Sequence, residues 1–262
     1  MDLADRHVVV TGAARGIGAA LARRFAADGA RVVVADVGDV AAVADELPQA
    51  LGVHADVSSE QGNVDLIAAA EERFGPIDLF FANAGIGGGT DLTTPEESWQ
   101  LAFDVNVNAH RWAVKHLIDG WLARGEGYFC STASAAGLLA QIGSAPYTLT
   151  KRAAVAFAEW LAITYGARGL KVSCLCPQGV NTEMLRAGDD PALGGGGTQV
   201  VRVSGVVLEP EQVADVVAQA IRDERFLILP HPEVHEFVRR KADDPDRWLA
   251  GMRKLQARIL GI

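Results

Sequence analysis

The possible folds are limited most by a series of short, continuously apolar runs that alternate with segments of helical periodicity. Two of these runs contain three consecutive valines, at residues 8–10 and 32–34. Because neighbouring side chains of a strand point to opposite faces of a sheet, a strand that is apolar throughout must be covered on both faces. Seven strand-like apolar runs occur in all, at residues 7–11, 31–36, 51–57, 77–83, 127–132, 170–176 and 226–229, and several of them are continuously apolar.

Strands that alternate with helices are joined by right-handed crossovers, and such strands pair in parallel. We therefore predict an α/β protein with a doubly wound Rossmann fold, in which a seven-stranded, mostly parallel sheet carries helices on both faces. The 262 residues suit one domain, 1–262. Two segments depart from the pattern: a glycine-rich insertion at about 183–209, interpreted as a substrate loop, and a helical C-terminal tail at about 232–262.

The charge of the chain restricts its partners. A formal net charge of -9 at pH 7 repels polyanions at long range, so we expect no binding to nucleic acid or to a membrane surface. No run approaches the ~18 apolar residues of a membrane span. A strand pattern begins within a few residues of Met1, so we expect a cytoplasmic protein without a signal peptide. The expected partner is a small-molecule substrate.

Cysteine and histidine spacing gives no sign of a metal centre. The cysteines, Cys130, Cys174 and Cys176, form neither a disulfide framework nor a metal signature, and we interpret them as core thiols. The six histidines show no ligand spacing. We expect no metal.

A glycine-rich turn at residues 11–18 links the first predicted strand to the first helix. Glycines there permit a tight turn and close backbone approach, while the helix N-terminus offers free amides and a partial positive charge to a pyrophosphate. Such a turn can also be no more than a turn. Its place in an α/β sheet favours nucleotide binding, and we expect cofactor contacts from Gly12, Arg15, Gly16, Ile17 and Gly18.

An acidic residue ends the second predicted strand. Asp36 lies roughly 20 residues beyond the glycines, where a carboxylate can bind both hydroxyls of an adenine ribose. Arg15 could contact a 2′-phosphate instead. A carboxylate beside that phosphate would be costly to leave uncompensated, however, and Arg15 can turn to solvent. The sequence therefore predicts NAD as the cofactor in preference to NADP.

Tyr147 and Lys151 stand four residues apart, so on a helix they share one face about one turn apart. A nearby cation favours the phenolate and lowers the tyrosine pKa from its usual value of ~10, which makes the phenol a usable acid or base. Any helix can carry this pair by chance, so the rest of the site must support it. Ser134 lies upstream, at the end of a hydrophobic run, and completes the group.

In combination these motifs resemble the short-chain dehydrogenase/reductase superfamily, in its single-domain branch of about this length. The resemblance runs from residue 7 to about residue 182. The turn matches the family's Thr-Gly-x-x-x-Gly-x-Gly form, and Tyr147 with Lys151 matches its Tyr-x-x-x-Lys motif. Ser134 precedes Tyr147 by thirteen residues, the most common spacing in the family.

The resemblance implies further site residues. Asn106 matches the active-site asparagine that supports a proton relay through a bound water to the lysine; Asn108 is the competing candidate, and Ser131 competes with Ser134. Three more groups of cofactor contacts are implied: Asp56 and Val57 at the adenine, then Asn83, Ala84 and Gly85, and finally Pro177, Val180 and Thr182, of which Val180 and Thr182 hold the nicotinamide carboxamide.

The chain departs from the family pattern at three places. Ala82 replaces a frequent asparagine, which puts one sheet-stabilising hydrogen bond in doubt. Gln178 takes the place of the usual glycine, so a side chain there would narrow the pocket or bond to substrate. The Val-Asp-Gly-Gly ending of many relatives is missing, which puts their usual tetramer contacts in doubt.

The implied activity is transfer of a hydride between NAD(H) and a secondary alcohol or ketone. Tyr147 would be the acid or base, Ser134 would orient the oxygen, and Lys151 would favour the phenolate and bind the nicotinamide ribose. Apolar residues near this group predict a hydrophobic substrate that is steroid-like, aromatic or aliphatic: Leu138, Ala140, Ile142, Met184 and Leu185. The alternatives are a 3-oxoacyl-thioester reductase, a non-catalytic NAD(H)-sensing regulator and a non-redox lyase or epimerase.

We also expect a homo-oligomer, either a dimer or a tetramer. The candidate surfaces are the apolar positions of the predicted helices at residues 99–122 and 147–165.

Overall fold

The computed structural model of the protein describes residues 1–187 and 196–261. Within them, seven strands form one sheet in the order β3-β2-β1-β4-β5-β6-β7, and every neighbouring pair is parallel. The predicted doubly wound fold is confirmed. The strands are β1 (His7–Thr11), β2 (Arg31–Asp36), β3 (Ala50–His54), β4 (Leu79–Ala82), β5 (Gly127–Thr132), β6 (Leu170–Leu175) and β7 (Leu227–Ile228).

Helices fill the segments between the strands and the C-terminal tail. A π-helical turn, Asp104–Asn108, joins two of them without a break, and a short 3₁₀ turn, Gly166–Arg168, follows the longest. The helices are α1 (Gly16–Ala27), α2 (Ala41–Ala44), α3 (Glu60–Phe74), α4 (Glu96–Phe103), α5 (Ala109–Arg124), α6 (Ala135–Leu139), α7 (Ala145–Tyr165), α8 (Glu183–Ala187), α9 (Gly196–Ser204), α10 (Pro210–Arg222), α11 (Glu233–Asp243) and α12 (Pro245–Leu260).

The sheet is covered on both faces, as the apolar runs require. Val8 and Val10 of β1 pack into one core with α1 and α10, whereas Val9 between them packs into the opposite core with α3, α5 and α7. All three side chains are fully buried. This alternation explains why a β-strand of the chain can be apolar at every position.

Four strands, β3, β4, β6 and β7, are shorter in the structure than their predicted runs, and β3 and β4 show the physical reason. β3 ends at His54 because the chain turns at Asp56, whose carboxylate accepts a hydrogen bond from the Ser58 amide. β4 ends before Asn83, since the amide of Asn83 donates to the Thr11 side chain rather than to a neighbouring strand.

The segment predicted as a substrate loop is described in part. Its flanks form α8 and α9, and residues 188–195 lie outside the described residues. The predicted C-terminal helical extension consists of α11 and α12. They are separated at Asp244, whose side chain caps α12 by accepting from the Arg247 amide. In the part of the chain that the structure describes, no helix has the length and apolar character needed to cross a membrane.

The strand order places the functional site. β1 has β2 on one side and β4 on the other, so the chain leaves β1 in one direction and later returns to its opposite edge. In open α/β sheets this reversal leaves a crevice at the carboxyl ends of the strands, where ligands bind.

Candidate active site

The glycine turn forms a narrow cradle at the carboxyl end of β1. Gly12 and Gly16 have φ angles of +63° and +56°, a region that favours glycine. A Cβ atom on Gly12 would lie 2.7 Å from the Cα of Ala84, and one on Gly18 would overlap the carbonyl oxygen of Gly12. The first turn of α1 holds no acidic residue, and Arg15 makes no side-chain cap. The helix N-terminus offers amides and a partial positive charge, and the glycines beside it carry no side chain that would block a ligand. This arrangement suits the pyrophosphate of a dinucleotide.

Asp36 lies beside this cradle, at the end of β2. One of its oxygens accepts from the Ala14 amide at 3.0 Å and the other from the Gly38 amide at 2.9 Å. These bonds fix the carboxylate at the edge of the crevice. Arg15 lies on the exposed side and forms an ion pair with Glu183, so the guanidinium that competes for a 2′-phosphate already has an acidic partner.

Asn83 links the glycine turn to the carboxyl end of β5. Its side-chain nitrogen donates to the carbonyls of Thr11 (3.0 Å) and Gly12 (3.2 Å), and its side-chain oxygen accepts from the Thr132 hydroxyl (3.0 Å). The amides of Asn83 and Ala84 both donate to the Thr11 hydroxyl at 3.0 Å. The first residues of the predicted segment, Asn83 and Ala84, therefore hold β1, β4 and β5 together where those strands end.

Lys151, Asn106 and Gly85 come together above the end of β5. A Cβ atom on Gly85 would lie 3.0 Å from the Lys151 ammonium and 3.2 Å from the Asn106 side-chain oxygen, so glycine leaves this space open. The ammonium is almost fully buried and donates to the carbonyl of Thr132 at 2.8 Å. Burial lowers the pKa of Lys151 to about 8.

The π-helical turn directs Asn106 rather than Asn108 into the site. Asn106 is fully buried; its oxygen accepts from the Ile86 amide, and its nitrogen donates to the Ile86 carbonyl and the Thr150 hydroxyl. Asn108 instead donates to the Asp104 carboxylate on the helix surface. π-Helical turns in α-helices occur frequently at functional sites. Since protein groups engage both polar atoms of the Asn106 side chain, its role in a proton relay stays a prediction.

Tyr147 lies in the first turns of α7, on the same face as Lys151. The Lys151 ammonium is 5.6 Å from the ring centroid. Burial raises the pKa of the Tyr147 phenol, and hydrogen bonding with the Ser134 hydroxyl opposes that rise. The sequence predicts a lowered pKa, so the structure gives the opposite direction. The reason is that burial disfavours the charged phenolate, and this effect outweighs the hydrogen bond with Ser134.

Ser134, not Ser131, faces Tyr147. Ser134 lies beyond β5 and caps α6: its hydroxyl accepts from the Ala136 amide at 3.1 Å and donates to the Pro177 carbonyl at 3.4 Å. Ser131 lies within β5 and hydrogen-bonds to the His110 ring at 3.1 Å. The two serines are thus separated by the end of the strand, and the predicted choice of Ser134 agrees with the geometry.

The segment after β6 closes the crevice. Val180 pairs with Leu208 in an isolated parallel bridge, and the Thr182 amide donates back to the Val180 carbonyl at 2.8 Å. The Thr182 methyl group lies 3.2 Å from where Gly16 would carry a Cβ atom, so this segment reaches the glycine turn. Pro177 contacts Ser134 at its other end. The structure therefore brings these predicted residues to the crevice from the side of β6.

Asp56 and Val57 lie at the outer end of the crevice. Val57 is largely buried, and its carbonyl accepts from the Asn63 side chain at 2.9 Å. Asp56 bonds within its own turn. Their contact with an adenine stays a prediction.

Some buried polar residues of the site are not predicted from the sequence. Thr132 and Thr150 are recognised as site residues only from the structure, where they bond to the Lys151 ammonium and to the Asn106 side-chain amide. His110 is fully buried beside this cluster, where burial and the Lys151 charge lower its pKa to about 3. His231 approaches from the far end of the chain. The one usable signal is that Thr132 ends a central strand, at the edge where ligands bind.

The residues present fit a dinucleotide, with amides at the glycine turn, a carboxylate at Asp36 and a polar cluster at the opposite end of the crevice. Among residues 1–187 and 196–261, no group of three or more His, Cys, Asp or Glu side chains is arranged to hold a metal ion. A glycine turn and an acid-base cluster at one edge of a doubly wound sheet define the class of nucleotide-dependent oxidoreductases.

Comparisons with known proteins agree with this class. The family model of the short chain dehydrogenase matches residues 6–191. The chain is 35% identical over 254 residues to 1-deoxy-11-beta-hydroxypentalenate dehydrogenase of Streptomyces exfoliatus, covering 93% of this chain and 90% of that protein. It is 32% identical over 244 residues to meso-2,3-butanediol dehydrogenase of Serratia marcescens, covering 87% and 92%.

Among solved structures, a short chain dehydrogenase/reductase from Burkholderia phymatum in complex with NAD superposes with a TM-score of 0.86 at 30% identity, covering 94% of this chain and 96% of that one. The chain therefore belongs to the short-chain dehydrogenase/reductase family of oxidoreductases.

Proposed function

We propose that the protein transfers a hydride between NAD(H) and a secondary alcohol or ketone, with Tyr147 as the acid or base. The observation that carries this proposal is the meeting of Tyr147, Ser134 and Lys151 at the same sheet edge as the glycine turn. A regulator that only senses NAD(H) would have no need to retain this complete group.

The bound dinucleotide would supply a nicotinamide ring that accepts or donates the hydride. The chain's own residues handle the proton. In ketone reduction the Tyr147 hydroxyl gives its proton to the substrate oxygen, and in alcohol oxidation it takes that proton. The Ser134 hydroxyl orients the oxygen and stabilises its developing charge.

Lys151 serves the same proton transfer from one turn further along α7. Its ammonium stabilises the negative charge that Tyr147 carries after giving up a proton, and the Thr132 carbonyl keeps that ammonium in place. Asn106 holds the surrounding loop by bonding to both backbone groups of Ile86. These contacts order the site before substrate binds.

We expect NAD to be preferred to NADP, with a kcat/KM ratio of at least about tenfold in a screen of secondary alcohols. The Asp36 carboxylate would repel a 2′-phosphate, while the nearby Arg15 is paired with Glu183. The measurement is the absorbance change of the nicotinamide band with each cofactor.

Asp36→Ala should lower the ratio of kcat/KM with NAD to kcat/KM with NADP. Asp39 is an exposed aspartate three residues further along, and Asp39→Ala should leave this ratio unchanged. Equal efficiencies with both cofactors would contradict the assignment of Asp36. Failure of every alcohol and ketone to change the nicotinamide absorbance would contradict the proposed function.

We propose a hydrophobic substrate. The flanks of the substrate loop present exposed apolar side chains beside the crevice, among them Met184, Val203 and Val206, and the Val206 carbonyl lies close to Gly179. Exposed aliphatic groups around a polar cluster favour a ligand with an apolar body. The two named relatives are dehydrogenases of a hydroxypentalenate and of meso-2,3-butanediol.

We further propose that the protein is a cytoplasmic homo-oligomer. The buried free thiols Cys130, Cys174 and Cys176 suit a reducing compartment. The faces of α4 and α7 expose four large apolar side chains, a pattern typical of subunit interfaces. They are Leu101, Leu149, Trp160 and Ile163, and Ile163 is 83% exposed.

We expect a dimeric or tetrameric mass by light scattering, and Ile163→Glu should reduce it because a charge would then be buried in the interface. Leu92→Glu places the same charge on an exposed leucine outside both helices and should leave the mass unchanged. A monomeric wild-type protein would contradict this proposal.

A further inference from the structure

His231 anchors the segment that follows β6. The residue lies just before α11, far from that segment in sequence, and its ring is 1% exposed. Nδ1 accepts from the Gln178 amide at 3.1 Å, and Nε2 donates to the Gly179 carbonyl at 3.0 Å. An amide can only donate and a carbonyl can only accept, so the ring is neutral and carries its proton on Nε2.

The two bonds of His231 are not equivalent. The Gly179 carbonyl also accepts from the Leu208 amide at 2.9 Å, so it keeps a partner without the histidine. Among the described residues, the acceptor of the Gln178 amide is Nδ1 of His231. A buried amide left without an acceptor destabilises its conformation, whereas a carbonyl with a second donor tolerates the loss.

The side chain of Gln178 also bears on the stability of this segment. Its side-chain oxygen is buried without a hydrogen-bond partner in the described chain. An unpaired buried acceptor disfavours the conformation that buries it. The segment therefore depends on contacts from outside itself.

The anchored segment reaches the acid-base cluster directly. The Gln178 amide that His231 holds belongs to the same peptide group as the Pro177 carbonyl, which accepts from the Ala135 amide at 2.8 Å and from the Ser134 hydroxyl at 3.4 Å. Val180 directly follows the Gly179 carbonyl, which is the second partner of the His231 ring. A shift of the peptide would displace both the serine contact and the residues proposed to hold the nicotinamide end of the cofactor.

We propose that His231 is a positioning residue that fixes the nicotinamide end of the cofactor site through the Gln178 amide. This inference rests on the proposed NAD-dependent function.

Two amide substitutions separate the two bonds. The side chain of His231→Asn can place an oxygen near the position of Nδ1 and keep the Gln178 bond, while His231→Gln can place a donor near Nε2 and keep the Gly179 bond. We expect Kd and KM for NAD to stay within about twofold in the Asn variant and to rise by about three- to tenfold in the Gln variant. His231→Leu, which keeps neither bond, should raise them by about tenfold or more.

The readouts are NAD titration of the folded protein, the split between KM and kcat, and Tm. A merely structural role would lower Tm in all three variants and leave Kd for NAD unchanged. His235→Asn and His235→Gln are matched controls on the exposed side of α11 and should change neither quantity.

Hydrogen exchange of the Gln178 amide tests the role of His231 in the wild-type protein, without any substitution. We expect NAD to slow this exchange, since cofactor and histidine stabilise the same segment. Unchanged exchange, or a Gln variant that binds NAD as tightly as the Asn variant, would overturn the role of His231. A wild-type protein that binds no NAD would overturn the proposed function, and this inference with it.

Discussion

Tyr147→Phe is expected to lower kcat by about 10²–10⁴-fold while changing Kd for NAD little. The substitution removes one oxygen atom, which is the proposed donor and acceptor of the proton. It leaves the ring, and with it the packing at the start of α7, in place. Lys151 would still donate to the Thr132 carbonyl, so the buried ammonium keeps its partner. Steady-state rates and NAD titration on the same preparation separate the two effects.

Tyr165→Phe is the matched control for this experiment. Tyr165 lies at the opposite end of the same helix, where its ring packs against Trp160. Loss of its hydroxyl should leave turnover unchanged. Retention of more than about a tenth of the wild-type rate in Tyr147→Phe would show that another group moves the proton, since that loss is below the usual contribution of a general acid or base.

Gly18→Ala is expected to abolish NAD binding and to destabilise the fold. A methyl group at this position would overlap the Gly12 carbonyl oxygen and lie 2.7 Å from the Asn83 side-chain nitrogen. The first contact is with backbone in a turn held by several hydrogen bonds, so it cannot be relieved by a side-chain rotation. Either α1 moves away from the turn or the turn loses its shape. Overpacking of this kind typically costs about 1–3 kcal/mol.

Gly120→Ala tests whether this effect depends on the site. Gly120 lies in α5, and a Cβ atom there would meet no heavy atom within 4 Å. The same substitution should therefore stabilise the protein by about 0.5–1 kcal/mol, because alanine favours a helix more than glycine. The measurements are denaturant unfolding and NAD titration. Wild-type affinity for NAD in Gly18→Ala would contradict the proposed position of the pyrophosphate.

The fold follows from the sequence because its main signals are local. A run such as Val32 to Val34 predicts a strand covered on both faces whatever its partners are, and the helical spacing between runs predicts the crossovers. The glycine turn and the acid at Asp36 are equally local, since their places relative to two strands can be counted along the chain. Tyr147 and Lys151 share one face by helix geometry alone.

The features of the site that the sequence does not predict depend on contacts between segments that are distant along the chain. The direction of the Tyr147 pKa is set by burial, which depends on segments distant in sequence and is not visible from a spacing of four residues. The π-helical turn at Asn106 requires the Ile86 backbone to bond with the asparagine side chain. His231 meets Gln178 across 53 residues of sequence, and no local pattern marks it.

The side-chain hydrogen bonds of Asn83, together with the bond from Lys151 to the Thr132 carbonyl, have a mechanical consequence. In many two-domain enzymes the cofactor and the reacting groups lie on separate bodies that close on each other. Here one asparagine side chain bonds to the backbone of the cofactor turn and to the hydroxyl of the residue whose carbonyl holds Lys151. The distance from the proposed cofactor site to the proposed proton donor is therefore set by the carboxyl ends of three adjacent strands, a frame whose dimensions do not depend on hinge motion.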